Sequence, residues 1–528
     1  FLAVLDALHD AAQIRLVTCR HEGAAAMMAE AHGKLTGRPG VVFVSRGPGT
    51  TNAAHGLHVA AQDSTPFLMF IGQNPREVME REAFQEIDYR RMFGLQAKAV
   101  VQIDEAARMS EFVTRGFRLA MSGRPGPVVV ALPEDMLTER AGATDGRRVE
   151  IPAHPPAKSV LDEVRARLAA AARPMVILGG GGWTAAEVAA FEAFAESSDL
   201  PVVASFRRQD RYDNLLPTYV GELGLGANPA LVRRVREADL ILAIGARLGD
   251  ICTQSYTLFE TPPRMAAAFI HVYPDADEIG HVWQPDLAVV SAPGVFAAAL
   301  AAGGPLEGAA WGPATEEARQ DYLAWTAPRE SPGAIQMCEI VAWLDANLPE
   351  DTIYTNGAGN FSVWLHRFHR YRRLGTQVAP VSGSMGYGVP AAVAACLARP
   401  GATVVCFAGD GDFQMTGTEL VTAAELGLCP RFLILNNGML GTIRMHQERE
   451  YPARVSGTDL GRLPDFAAWA RAAGCHGETV TRTEDFPEAW ARADAFDGPA
   501  VLELMIDPEA ISPNFTLTAL REKALAAR

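Results

Sequence analysis

The sequence predicts an α/β protein built from three doubly wound parallel-sheet domains. Short runs of Val, Ile and Leu alternate nearly throughout with Ala-rich helical stretches, the pattern of parallel strands covered by helices on both faces. At roughly 100–200 residues per domain, 528 residues imply about three cores. The two ends also echo each other. Val41 to Gly49, Phe67 to Gln73 and Gly126 to Val130 return in the same order as Thr403 to Gly411, Phe432 to Asn437 and Gly498 to Leu502. Two similar domains flanking an insert explain the echo; so does the rhythm shared by any two doubly wound sheets.

Phe1 enters an amphipathic pattern (Leu2, Leu5, Leu8) with neither a methionine nor a signal peptide, so the numbered chain is expected to start inside its first domain. A strand is expected at Arg15 to Thr18, after which His21-Glu22-Gly23-Ala24 opens a helix of small residues. Gly47-Pro48-Gly49 turns the chain after the next strand, and the first domain is placed at 1–150. Pro152 to Pro156 reads as a linker. A middle domain follows at 155–305, with strands Met175 to Leu178, Leu240 to Ile244 and Phe269 to Tyr273. The Gly/Pro/Ala-rich stretch from Ala301 to Pro332 reads as a second linker, ahead of a last domain at 333–528.

The balance of 47 Lys+Arg against 62 Asp+Glu, a net charge of −15, repels a phosphate backbone and argues against a nucleic-acid partner. No apolar run approaches the roughly 20 residues of a bilayer crossing, so no membrane partner is expected. The seven cysteines are scattered, with no Cys-x-x-Cys pair, which suits buried thiols in a reducing, cytoplasmic compartment.

The sharpest chemical feature is Gly409-Asp410-Gly411 at a strand end, with Asn436-Asn437-Gly438 ending the next strand. Glycines let a backbone approach a phosphate, and Asp and Asn oxygens are hard ligands suited to Mg²⁺ or Ca²⁺. Alone, Gly-Asp-Gly is most often a turn. In an acidic protein, however, a divalent cation is the natural means of holding a diphosphate. Upstream, Ser382-Gly383-Ser384-Met385-Gly386-Tyr387-Gly388 sets Met385 among glycines, either as an adaptable core filler or as a prop beneath a ligand. Glu22 is either a helix-start acid favoured by the macrodipole or a carboxylate for a proton relay.

Together these motifs resemble the thiamine diphosphate enzymes, whose signature is Gly-Asp-Gly and Asn-Asn at this spacing, and the matches run from Phe1 to about Ile506. Gly72-Gln73, Ala83-Phe84-Gln85-Glu86, Gly123-Arg124-Pro125-Gly126-Pro127 and Gly245-Ala246-Arg247 bring the chain closest to the acetolactate synthase group. The resemblance implies a pyrimidine-binding, a central and a diphosphate-binding domain, in that order. It implies that Asp410, Asn437 and the Met439 carbonyl bind Mg²⁺. Gly359, Asn360, Phe361, Gly409 and Gly411 would contact the cofactor diphosphate. Many relatives carry Gln-His where this chain has Asn360-Phe361, so only backbone contacts are carried over there. Glu22 would serve as the essential glutamate at the pyrimidine, the Gly383 carbonyl and Met385 N–H would bind that ring, and the Met385 side chain would bend the cofactor.

The same resemblance implies decarboxylation of a 2-oxo acid and transfer of the acyl carbanion to a carbonyl acceptor, by a homodimer or homotetramer with active sites at the subunit interface. A simple 2-oxo acid decarboxylase or C–C lyase uses the same apparatus. A catalytically silent regulatory subunit would lack Glu22 or Asp410, and both are present. Gln73 and Lys98 match positions lining the site or its approach. His446 stands where acetolactate synthases carry an acceptor-selecting Trp. His446 and Arg444 could neutralise a carboxylate or form a solvated helix face, and His55 is either substrate-specific or a satisfied core histidine. Gly179 to Gly182, Arg247 and Asp275 are compatible with FAD in the central domain or with an empty, degenerate one.

Overall fold

In the computed structural model, which describes residues 1–142, 144–308 and 310–528, three separate sheets form and their ladders are parallel. The first holds β1 (Gly40–Val44), β2 (Phe67–Gln73), β3 (Ala99–Gln102) and β4 (Pro127–Pro133) in the order β1-β2-β4-β3. The second holds β5 (Pro174–Leu178), β6 (Val202–Ser205), β7 (Tyr219–Leu223), β8 (Leu240–Ile244), β9 (Ala268–Tyr273) and β10 (Leu287–Val290), ordered β10-β9-β8-β5-β6-β7. The third holds β11 (Ile353–Asn356), β12 (Gln377–Val378), β13 (Val404–Gly409), β14 (Arg431–Asn436), β15 (His476–Val480) and β16 (Ala500–Met505), ordered β12-β11-β13-β14-β16-β15. Wholly buried runs such as Phe67–Gln73 and Val404–Gly409 are apolar because helices cover both faces.

The echo read from the sequence is a repeat of topology. The order β1-β2-β4-β3 is the order β13-β14-β16-β15, with β11 and β12 added at one side. Two expectations are corrected. Arg15 to Thr18 forms no ladder: it is extended, largely exposed chain, and the N–H groups of Arg20 and His21 just beyond it donate to Glu419. The stretch read as a second linker contains the helix Gly312–Trp325, whose Ala, Glu, Arg and Leu favour helix after a Pro in its first turn. That helix packs on β7 and carries Tyr322 and Trp325 to the edge of the site described below.

The first and third sheets are joined inside one chain. Helix Glu22–Thr36 packs on helix Gly388–Ala398, and Met27, Met28 and Ala31 share a core with Val389 and Ala391 to Ala395. Small side chains on both helices permit that close approach. Beside them, Asp63 accepts from the N–H groups of Val381 (3.0 Å) and Ser382 (3.1 Å), while Lys34 Nζ donates to Asp63 (2.6 Å) and to the Ala379 carbonyl (2.9 Å). The first sheet's helices thus moor the chain that runs into Gly383-Ser384-Met385. Burial alone would raise the Asp63 carboxyl, but Lys34 and Arg208 outweigh it and hold the group below its ordinary range. Its stabilising contribution is present above the unfolded-state value and is lost as pH falls through the lower folded-state value. Lys34→Met leaves the Asp63 charge buried without its closest partner. We expect a loss of about 3–5 kcal/mol, read as a lower urea midpoint at pH 7, with the deficit shrinking in acid; an unchanged midpoint at pH 7 would count against the mooring role.

Candidate active site

The site forms where strands of the third sheet end. β13 and β14 are neighbours, Gly409 opposite Leu435, so Asp410 and Asn437 emerge side by side from adjacent strand ends. Asp410 Oδ1 accepts from the Gly411 N–H (2.7 Å), and Oδ2 accepts from the N–H groups of Gly438 (2.7 Å) and Asn437 (3.2 Å). Burial raises its carboxyl, and these donors oppose the rise. Asn437 Oδ1 faces the Met439 N–H at 3.3 Å. Gly438 sits at φ 72° with open space around its α-carbon, where a side chain would meet both strain and the approach path of a ligand.

The loop after β11 supplies the opposite wall. The Asn360 side chain is spent inside the protein: it accepts from Thr442 Oγ1 (3.0 Å) and donates to the Ile511 carbonyl (3.2 Å). This accounts for an Asn here in place of a side chain aimed at a ligand. The Phe361 ring lies against Gly359 and Gly409, which leave no room for a Cβ. Gly383, at φ 70° with nothing within 4 Å of a built Cβ, and Met385 complete the cradle; the Met385 methyl lies 3.8 Å from where a Cβ on Gly411 would stand.

One continuous cavity of about 380 Å³ joins these groups. Gly359, Asn360, Phe361, Gly383, Met385, Gly409, Asp410, Gly411, Asn437 and Met439 all line it. Glu22, Gln73 and His446 do not, and among the described residues none before Phe206 does. Glu22 stands half-buried at the start of its helix, accepting from Asn52 Nδ2 (3.0 Å). Gln73 is buried, accepting from the Asn74 N–H (2.9 Å). His446 is exposed, with Nδ1 2.7 Å from Arg449, whereas Arg444 is half-buried and pairs with Asp459 and with the buried Glu448. Lys98 donates to the Ser122 carbonyl, and His55 Nε2 lies 2.5 Å from Ser384 Oγ, a further tie between the first domain and the Met385 loop.

Among the lining groups that escaped the sequence reading are Arg207, Glu222 and Asp412. Asp412 accepts from the N–H groups of Gly386 (2.8 Å) and Ala358 (3.2 Å), and burial pushes it up to about 7. It ties the two cradle loops to the start of its own helix. Arg207 belongs to Phe206-Arg207-Arg208-Gln209-Asp210-Arg211, a charged run that reads as a solvated turn yet is buried throughout. Among the described residues no cluster of three His, Cys, Asp or Glu side chains has metal-site geometry; the candidate metal wall uses one carboxylate, one amide and one carbonyl.

The chain matches the thiamine pyrophosphate enzyme N-terminal TPP binding domain over residues 1–92, the central domain over 161–300 and the C-terminal TPP binding domain over 357–504. It is 31% identical to the acetolactate synthase isozyme 2 large subunit of Escherichia coli over 513 residues, covering 96% of this chain and 91% of that protein. The acetolactate synthase large subunit of Parasynechococcus marenigrum is 32% identical over 523 residues (96% and 83%), and that of Lactococcus lactis 30% over 492 (90% and 82%). The chain therefore belongs to the thiamine pyrophosphate enzyme family, as a thiamine diphosphate-dependent enzyme of the acetolactate synthase type.

Proposed function

We propose that the protein decarboxylates a 2-oxo acid and transfers the acyl unit to a carbonyl acceptor, using thiamine diphosphate and Mg²⁺. The observation that carries this reading is the convergence of Asp410, Asn437 and Met439 with Gly383 and Met385 on one cavity. The donor set fits the cofactor. A carboxylate, an amide oxygen and a backbone carbonyl are hard ligands for Mg²⁺, and the open, positive-φ glycines at 383 and 438 leave backbone accessible. When bound, thiamine diphosphate supplies a thiazolium carbon that serves as nucleophile and electron sink. Asp410, Asn437 and the Met439 carbonyl would hold the metal, and the backbone at Gly359 to Phe361 and Gly409 to Gly411 the diphosphate. Met385 would prop the bound conformation.

Glu22 would hold and return a proton at the pyrimidine ring, yet it stands outside its own chain's cavity. A second copy of the chain is therefore the proposed source of that carboxylate, in a homodimer or a pair of homodimers. The central-domain residues fit a dinucleotide poorly. Arg247 pairs with Glu278 (2.8 Å), Asp275 accepts from the Arg124 N–H (2.8 Å), and Glu187 already caps the helix after Gly179 to Gly182. No step through FAD is derived.

Stripping Mg²⁺ and thiamine diphosphate by chelation and dialysis is expected to abolish consumption of pyruvate, and restoring both to recover it. Acetolactate as product identifies carboligation, acetaldehyde simple decarboxylation. Full turnover by the stripped protein would sink the proposal.

A further inference from the structure

Met385 stands in a loop that is held on both sides and free in the middle. On the near side Asp63 takes the N–H groups of Val381 and Ser382. On the far side both peptide groups around Gly386 are taken: its N–H donates to Asp412 Oδ1 (2.8 Å), and its carbonyl accepts from Thr416 Oγ1 (2.7 Å). Between them, among the described residues, no hydrogen bond ends on the Gly383 carbonyl or the Met385 N–H.

The grip on Gly386 comes from one short element. Asp412 and Thr416 are four residues apart in the helix Asp410–Thr416 and so project from one face. Both are buried, as is Gly386. The helix opens with Asp410, the carboxylate of the candidate metal wall, and its Gly411 faces the Met385 methyl, which a Cβ there would meet at 3.8 Å. Asp412 also reaches a third segment: the same Oδ1 accepts from the Ala358 N–H (3.2 Å), and a Cβ on Gly357 would stand only 2.0 Å from it. A loop that turns at Gly383 (φ 70°) and Gly386 (φ 76°) has little stiffness of its own, because glycine does not confine its backbone. Where Met385 stands is therefore decided by what holds its neighbours.

We propose that Asp412 and Thr416 are positioning residues, which grip Gly386 and so fix Met385 relative to the metal wall that begins the same helix. This rests on the thiamine diphosphate reading above. Asp410, Asn437 and the Met439 carbonyl would still anchor the metal and diphosphate if Gly386 were loosened, while Met385 would leave its place. A misplacement of about 1 Å can cost on the order of 100-fold in rate. The signature is a slowed reaction on a fully bound cofactor.

Three measurements on the full chain test this. Amide exchange of the unliganded protein, read by mass on the peptide that carries Gly386, should be at least about tenfold faster in Asp412→Ala than in the wild type, with β13 and β14 unchanged. Calorimetric titration with thiamine diphosphate at saturating Mg²⁺ should give an affinity within about threefold of wild type in Thr416→Val, which is nearly isosteric and lacks only the hydroxyl. Exchange of the thiazolium C2 proton on the bound cofactor, read by NMR after acid quench, should be about tenfold slower in Thr416→Val and about 100-fold slower in Asp412→Ala, and should return to within about twofold in Thr416→Ser. Unchanged amide exchange, a wild-type C2 rate in Thr416→Val, or slowing matched by an equal loss of affinity overturns the proposal. If Asp412→Ala does not fold, the two Thr416 variants decide it. A wild type that binds no thiamine diphosphate defeats the cofactor reading; normal binding with Thr416→Val as fast as wild type defeats this proposal alone.

Discussion

Asp410→Asn is expected to lower cofactor-dependent turnover by at least about 100-fold at fixed Mg²⁺, since groups that merely orient a metal ligand already carry about 10–100-fold. The substitution is nearly isosteric, so the loss is chemical. The carboxylate receives three N–H groups, from Gly411, Asn437 and Gly438. An amide in its place turns an NH₂ toward donors on one side and supplies no charge to a divalent cation. Initial rates titrated with Mg²⁺ check this: the variant should need far more metal for half-maximal rate, and a wild-type curve would remove Asp410 from the metal site.

Glu22→Gln is expected to cost about 10²–10⁴-fold, the range for a positioned general acid–base group, with little change in folding because Glu22 is half-buried and, among the described residues, bonded only to Asn52. The decisive measurement is complementation. If each site takes Glu22 from one copy and Asp410 from the other, co-refolding the two inactive variants in equal amounts places one intact site in every mixed dimer, about a quarter of all sites when pairing is random. Recovery of roughly that fraction is expected. No recovery would mean that both groups act from the same chain, or that neither acts.

Much of the site was legible because it is local. Gly409-Asp410-Gly411 and Asn436-Asn437-Gly438 lie next to strand ends, and parallel strands paired in register bring their ends to one edge of the sheet. Gly383 and Met385 were legible for a similar reason, as an apolar side chain between positive-φ glycines. Arg207, Glu222 and Asp412 were not, because their roles depend on burial by distant elements. A run such as Phe206 to Arg211 has the composition of a surface turn, and only the packing of the central domain on the third sheet makes it interior. The helix Gly312–Trp325 was hidden by the Gly, Pro and Ala around it, although its own residues favour helix.

By itself the sequence determined the α/β class, showed an echo between the two ends of the chain, and marked the residues proposed for the metal and diphosphate cradle, since periodicity and turn chemistry act over a few neighbouring residues. Tertiary structure alone decided which side chains share a cavity. It kept Glu22 out of the cavity that Asp410 lines within one chain, and it buried Arg207 in the wall of that cavity. Those outcomes come from desolvation and packing between residues hundreds of positions apart, to which no local pattern is sensitive.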